Sequence, residues 1–178
     1  YTVKAKANNR NNNFTVAHIF CTHIIKRALA SAEVPARLEP SSLSRDDGKR
    51  PDGMSLMPWK EGRCLIWDFT CADTLAQSHL DRAVLRAATV ADDAEQRKRQ
   101  KYVSLSATYY FVPICIETLG PMGEEAAAFF ADVGQRIATA TGEPRSKTFL
   151  MQRLSIAVQQ GNAACVLGTV PVSADLYI

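Results

Sequence analysis

Apolar positions along the chain follow the spacing of helices in some segments and of strands in others. Between Phe14 and Ala32 they recur at helical intervals, which predicts a helix that Pro35 ends. A short strand, VPARLE, and a polar loop, PSSLSRDDGKR, follow it. The segment Gly48–Asp73 then alternates in the manner of two short strands, which predicts a β-hairpin with its turn at Lys60–Gly62.

The second half predicts helices around one strongly apolar strand. Ser78–Tyr102 has a helical pattern, and Ser78 and Asp81 have the spacing of a capping box. The aromatic and β-branched run TYYFVPICIETLG is typical of a buried strand, and two helices follow, Gly123–Thr141 and Arg145–Ala164. This order predicts an α/β fold with a mixed central sheet of about four strands, flanked by helices.

The pattern contains no internal repeat and no second domain. We expect a mobile basic arm or linker over residues 1–13, which hold Lys4, Lys6 and Arg10 but no acids. A single domain is expected over 14–170, with a tail over 171–178. Because the chain does not begin with Met, we expect it to be part of a longer polypeptide.

Composition narrows the class of protein only slightly. The 178 residues suffice for one buried core, and 47% apolar and 22% charged residues are ordinary for a globular domain. No apolar run has the length of about 18 residues that a membrane span needs, and the amino terminus lacks the pattern of a signal peptide. The five cysteines are scattered without a CxxC pair, so we expect reduced thiols in the core of an intracellular protein.

Two aspartates in the hairpin are the first candidate site residues. Strand interiors disfavour Asp, yet Asp68 lies in the apolar run CLIW-D and Asp52 lies near the start of the other strand. If partner numbers sum to roughly 122, Asp52 faces Thr70 and lies diagonal to Asp68 on one sheet face. Two such carboxylates repel unless a cation compensates them, and Mg²⁺ with oxygen ligands is the expected cation. The structural alternative is that Asp52 is a turn residue and that Asp68 either caps backbone groups or pairs with an arginine.

The helix after the hairpin supplies positive charge. Continuing its apolar stripe beyond Ala94 at the same intervals reaches Lys98 and Lys101, whereas Arg97 and Arg99 point sideways. A lysine aimed at the carboxylates would stabilise charge developing on a phosphate. The alternative is a solvated basic helix end that complements the helix dipole.

These residues carry a resemblance to a known superfamily. Arg50-Pro51-Asp52 followed by Asp68 in an apolar strand resembles the PD-(D/E)xK nucleases. The lysine usual two positions after the second acid is replaced by Thr70. The further pattern Lys98-x-x-Lys101-Tyr102 resembles the restriction-like endonuclease of site-specific non-LTR retrotransposons, in which the catalytic lysine lies on the helix.

The resemblance implies a single restriction-endonuclease-like domain that nicks DNA with Mg²⁺ or Mn²⁺. Asp52 and Asp68 would hold the metal, with Glu39 as a third acid, and Lys98 or Lys101 would be catalytic, oriented by Tyr102. Arg50, Arg97 and Arg99 would contact the backbone of double-stranded DNA. The implied partner is a reverse transcriptase in the same polyprotein, and the implied location is the nucleus. No membrane is expected.

Two other interpretations stay open at this point. In the first, the fold is retained as a DNA-docking or protein-interaction module whose nuclease activity has decayed. In the second, the domain is purely structural. His18 and His23 lie in the first predicted helix, where an isolated histidine is more often structural.

Overall fold

The computed structural model describes residues 11–43 and 50–169. The predicted tail, and residues 1–10 of the predicted amino-terminal arm, lie outside the described residues. The first helix begins at Asn11, three residues before the predicted start. Within the described residues no helix has the length and apolar character needed to cross a membrane.

Mixed α/β structure with the predicted order of elements is confirmed. The helices are α1 (Asn11–Ser31), α2 (Leu80–Ala83), α3 (Thr89–Lys101), α4 (Glu124–Thr141) and α5 (Ser146–Thr169). The strands are β1 (Ala36–Leu38), β2 (Gly53–Lys60), β3 (Arg63–Ala72) and β4 (Tyr110–Glu117).

The four strands form one open, mixed sheet in the order β1-β2-β3-β4. Strands β1, β2 and β3 are antiparallel neighbours, whereas β4 runs parallel to β3. A parallel pair needs a crossover connection, and α2 and α3 supply it between β3 and β4. The hairpin gives the antiparallel pair β2–β3 and the crossover gives the parallel pair β3–β4, so the sheet is mixed.

Helices cover both faces of the sheet. On one face α1, α4 and α5 enclose the larger core, which includes Trp67, Phe69 and Ile114. On the other face α3 packs through Ala91 and Ala94. Since side chains alternate along a strand, Asp68 belongs to the α3 face while its neighbours Trp67 and Phe69 face α1.

The hairpin register differs from the predicted one. Pro58 pairs with Cys64 as predicted, but Gly53 pairs with Trp67, two residues out of the predicted register. Irregularities between Met54 and Lys60 add residues to β2 relative to β3. These bulges change which residues of the two strands face each other.

The predicted position of Asp52 opposite Thr70 is therefore wrong. Asp52 directly precedes Gly53, which pairs with Trp67, so Asp52 lies beside Trp67 and not opposite Thr70. The backbone N–H of Asp52 donates to the Trp67 carbonyl at 2.9 Å, which continues the ladder by one bond.

The predicted helix Ser78–Tyr102 is two helices, α2 and α3. Ala88 between them has a left-handed φ of 69°, and Val84 of the predicted apolar stripe is 79% exposed. The capping box is also wrong, since His79 precedes α2 and makes no side-chain capping bond. Only the part of the stripe in α3 packs against the sheet.

Gly53 lets the Trp67 indole cross the start of β2. A Cβ at this position would lie 2.0 Å from Trp67 Cζ2, a separation that van der Waals contact forbids. Gly53 is therefore required for packing, independently of any chemistry at Asp52. Its lack of a side chain allows Asp52 to lie next to the fully buried ring of Trp67.

Candidate active site

The candidate site lies at the start of β2, where β3 extends beyond the end of its pairing with β2. Beyond Trp67, β3 keeps its parallel partner β4 as far as Ala72. On its other side, the Phe69 N–H donates to Asp52 Oδ2 at 2.6 Å. The Phe69 N–H has no β2 residue to bond, and the Asp52 side chain accepts this hydrogen bond instead. The bond holds the Asp52 carboxylate at this edge of β3.

Asp68 pairs with a lysine of α3, on the sheet face opposite α1. Lys98 Nζ donates to Asp68 Oδ2 at 2.6 Å and to the Phe69 carbonyl at 3.3 Å. Lys101 Nζ lies 3.7 Å from the same Asp68 oxygen. Both lysines of the KxxKY pattern therefore approach one carboxylate, as the helical spacing predicts, and this carboxylate pairs with lysine rather than with arginine.

The two aspartates reach the edge of β3 from different directions. Asp52 bonds in the plane of the sheet and toward α1, whereas Asp68 bonds toward α3. The expectation that both carboxylates project from one sheet face is corrected accordingly. Both carboxylates still reach the backbone of Phe69, whose N–H donates to Asp52 and whose carbonyl accepts from the lysine that binds Asp68. The negative charge of Asp52 contributes to a raised pKa of Asp68.

Burial is the main cause of the raised pKa of the Asp68 carboxyl. The side chain of Asp68 is 8% exposed, and loss of hydration disfavours its charged form. The positive charge of Lys98 acts in the opposite direction, and Asp52 adds to the upward shift. A second cation at this site would be bound most readily by the two carboxylates together.

Tyr102 contacts Lys101 in the structure. Lys101 Nζ donates to the Tyr102 hydroxyl at 2.8 Å and lies 4.4 Å from its ring centroid. The hydroxyl in turn donates to the Arg50 carbonyl at 3.2 Å. Tyr102 is fully buried against Phe111, so it links the end of α3 to the segment that precedes Asp52.

His18 joins the site although the sequence does not mark it. His18 Nε2 lies 3.1 Å from Asp52 Oδ2, and the ring meets Phe69 edge-on at 5.7 Å. The hydrogen bond to Asp52 is the main cause of a raised pKa of the His18 imidazole, opposed by burial. The contact depends on the packing of α1 across the sheet, which a single helical pattern does not reveal.

Glu39 lines a pocket beside Asp52. Its backbone N–H donates to the Asp52 carbonyl at 2.8 Å, but its side chain is 70% exposed and pairs with Arg50. Glu39, His18 and Asp52 line a pocket of about 330 Å³ together with Ile19, Thr22, His23 and Leu38. The structure therefore brings Glu39 to the wall of the pocket and not to Asp68.

The three arginines assigned to DNA binding lie on the surface in different settings. Arg99 forms a two-pronged ion pair with Glu125, and Arg50 pairs with Glu39. Arg97 is exposed on α3, one residue before Lys98. The first two arginines would have to exchange an acid for a phosphate in order to bind DNA.

Two buried glutamates fix α3, and hence Lys98, in place. Helix α3 starts after Ala88 with no side-chain cap of its own. Glu117 of β4 supplies the cap, because its Oε1 accepts from Val90 N–H at 3.1 Å and Ala91 N–H at 3.2 Å. The negative charge also complements the positive end of the helix dipole.

Glu95 of α3 caps the next helix in the same way. Its carboxylate accepts from the N–H groups of Glu125 and Ala126 in α4 and of Cys115 in β4. A Cβ on Gly123 would lie 2.2 Å from the Glu95 carboxyl carbon, so the close approach requires glycine. Burial outweighs the three donors and raises the pKa of Glu95 from 4.5 to about 7.

This shift predicts a pH dependence of stability that Glu95→Gln removes. Folded Glu95 keeps its proton up to about pH 7 while the unfolded chain loses it near 4.5, so the free energy of unfolding falls as pH rises between these values. The total fall is about 3 kcal/mol, at about 1.4 kcal/mol for each pH unit. Urea denaturation of both proteins from pH 4.5 to 8 measures it. Contributions of Asp68 and His18 are common to both proteins, and parallel profiles would contradict the prediction.

The oxygen atoms at the edge of β3 suit a hard divalent cation. Asp52, Asp68 and the Phe69 carbonyl surround a region where Lys98 Nζ is already held by two oxygens. In the part of the chain that the structure describes, no group of three or more His, Cys, Asp or Glu side chains is arranged to hold a metal. A metal here would therefore depend on two carboxylates, the backbone carbonyl and water.

The comparisons with known proteins leave the family open. No protein-family model matches the chain, and no curated protein resembles it significantly in sequence.

Proposed function

We propose that this domain is a metal-dependent endonuclease that hydrolyses a phosphodiester of double-stranded DNA. The observation that carries the proposal is the approach of Asp52, Asp68 and Lys98 at the open edge of β3, where Lys98 Nζ lies 2.6 Å from Asp68 Oδ2. Two acids and a lysine from three separate segments meet there, an arrangement that suits metal-assisted hydrolysis of a phosphodiester.

Asp52 and Asp68 would hold Mg²⁺ or Mn²⁺, with the Phe69 carbonyl as an oxygen ligand. When bound, the ion polarises the phosphate and lowers the pKa of an attacking water. Asp52 is suited to this role because the Phe69 N–H and His18 both contact its Oδ2, so the ion would use its other oxygen. Asp68 is suited because both lysines approach its Oδ2, so the ion would use its other oxygen.

Lys98 would bind a non-bridging phosphate oxygen and stabilise the charge that develops on it. Its side chain is 14% exposed and its Nζ is held at the site by Asp68 and the Phe69 carbonyl, so it would exchange one of these acceptors for the phosphate oxygen. Lys101 and Tyr102 would support it from the next turn, through the Lys101–Tyr102 hydrogen bond. Thr70 in place of a strand lysine is consistent with a lysine supplied by α3.

DNA would approach along the carboxyl-terminal end of α3. Arg97 is exposed beside Lys98 and would contact a phosphate directly. Arg99 and Arg50 would contribute after releasing Glu125 and Glu39. Such contacts make binding sensitive to salt and tolerant of sequence.

The restriction-endonuclease-like core and the retrotransposon context belong to the same proposal. The sequence of a helix, an antiparallel hairpin and a crossover to a parallel strand supports such a core. In that context a reverse transcriptase in the same polyprotein would use the nick as a primer.

The direct test is conversion of supercoiled plasmid to nicked circle. We expect nicking with Mg²⁺ or Mn²⁺ and none with EDTA, since the carboxylates alone do not activate water. The rate should fall as salt is raised, because phosphate contacts by arginine release counterions. A gel assay with purified protein measures both.

The competing function is a docking module with the same fold and no activity. Its supporting observation is that Lys98 already neutralises Asp68, which satisfies the buried carboxylate without a metal. Salt-sensitive DNA binding in a mobility-shift assay without metal-dependent nicking would favour it. Nicking that requires the metal would exclude it.

A further inference from the structure

The residue of interest is His18, which lies on α1 across the sheet from Lys98. Its Nε2 and the Phe69 N–H both lie within hydrogen-bond distance of one oxygen of Asp52, at 3.1 Å and 2.6 Å. An ionised carboxylate only accepts hydrogen bonds, so the Nε2 of His18 is the donor. Asp52 Oδ2 is thereby held by two donors from two different elements.

We infer that His18 is a positioning residue that orients the Asp52 carboxylate for a divalent cation. This inference rests on the proposed function, because it concerns the same metal site. Outer partners of metal ligands generally fix the orientation of the ligand and raise its affinity for the metal. With Oδ2 held by His18 and Phe69, rotation of the carboxylate is restricted and its other oxygen keeps one direction.

The surroundings of His18 suit positioning rather than packing alone. The ring lies edge-on to Phe69, which sets its orientation, but the side chain remains 39% exposed. A histidine that served only the core would bury its ring more completely. His18 also lines the pocket of about 330 Å³ with Asp52, so water and ions reach the bond between them.

Helix α1 provides a matched control in the same pocket. His23 is exposed and lines the pocket too, five residues along the helix. Replacing His23 removes an imidazole without removing the bond to Asp52. His18→Gln keeps an N–H donor of similar reach, whereas His18→Leu keeps the volume and contact with Phe69 but removes the donor.

The experiment is a titration of each protein with Mn²⁺, in which electron paramagnetic resonance measures free Mn²⁺. We expect His18→Leu to weaken Mn²⁺ binding about 10- to 100-fold, the usual effect of losing an outer partner of a metal ligand. His18→Gln should remain within about threefold of the unaltered protein, since it keeps the donor. His23→Leu should bind as the unaltered protein does.

Each other result overturns a defined statement. Equal binding by His18→Leu and the unaltered protein would overturn the positioning role and leave the proposed nuclease standing. Equal weakening in His18→Leu and His18→Gln would show that the imidazole itself is needed, which also overturns it. If the unaltered protein bound Mn²⁺ no better than Asp68→Asn, the proposed metal site would fail and the role of His18 with it.

Discussion

Asp68→Asn is expected to slow metal-dependent nicking about 10³-fold. Asparagine has nearly the shape of aspartate but carries no charge, so one of the two anionic ligands proposed for the metal is lost. Loss of about 4 kcal/mol of transition-state stabilisation corresponds to that factor. Initial rates of plasmid nicking over a range of Mg²⁺ concentrations measure it.

The same substitution also leaves the Lys98 ammonium without its carboxylate. The two side chains are 14% and 8% exposed, and breaking a buried ion pair by removing one partner costs about 3 kcal/mol. We therefore expect Asp68→Asn to unfold at lower urea concentration. Adding Lys98→Met should restore stability, because replacing both members of a buried pair is close to neutral, but it should not restore nicking.

Asp132→Asn is the matched control for the loss of a paired carboxylate. Asp132 on α4 also forms an ion pair with a lysine, and Lys60 Nζ lies 2.9 Å from its Oδ2. This pair lies outside the candidate site. Asp132→Asn should nick at the rate of the unaltered protein. Nicking by Asp68→Asn at an unchanged rate would show that Asp68 takes no part in the reaction and would remove the central residue of the proposal.

The sequence predicts the sheet well because its signals are local. Alternation in the hairpin and the apolar run of β4 define strands without reference to the rest of the chain. The register of Asp52 is missed because bulges between Met54 and Lys60 have no distinct sequence signal. The break between α2 and α3 is missed because residues 84–88 contain neither glycine nor proline, although Ala88 is left-handed.

Contacts within the site are harder to predict because they join distant segments. Lys98 is predictable from helical spacing, since an apolar stripe continued along α3 must meet the sheet. His18 contacts Asp52 across 34 residues, and Glu117 caps α3 from 27 residues away. Such contacts depend on how whole helices pack against the sheet. A single histidine or glutamate in the sequence has no periodic pattern that would reveal its distant partner.

The two lysines of α3 are expected to differ in their effect on nicking. Lys98→Met should lower the single-turnover rate about 10²- to 10³-fold, the usual loss when one fixed donor to a developing charge is removed. Lys101→Met should lower it about tenfold, a difference of about 1.4 kcal/mol. The reason is position, since Lys98 Nζ is 2.6 Å from Asp68 Oδ2 and Lys101 Nζ is 3.7 Å away.

Lys101 differs from Lys98 in its surroundings as well as in distance. Lys101 is 33% exposed and donates to the Tyr102 hydroxyl at 2.8 Å, so its charge is more hydrated and partly engaged elsewhere. Both variants should bind DNA within a few-fold of the unaltered protein in a mobility-shift assay, since each loses a single positive charge. Tyr102→Phe removes the acceptor of Lys101 and should match Lys101→Met more closely than Lys98→Met. A larger loss in Lys101→Met than in Lys98→Met would assign the catalytic role to Lys101 and reverse this order.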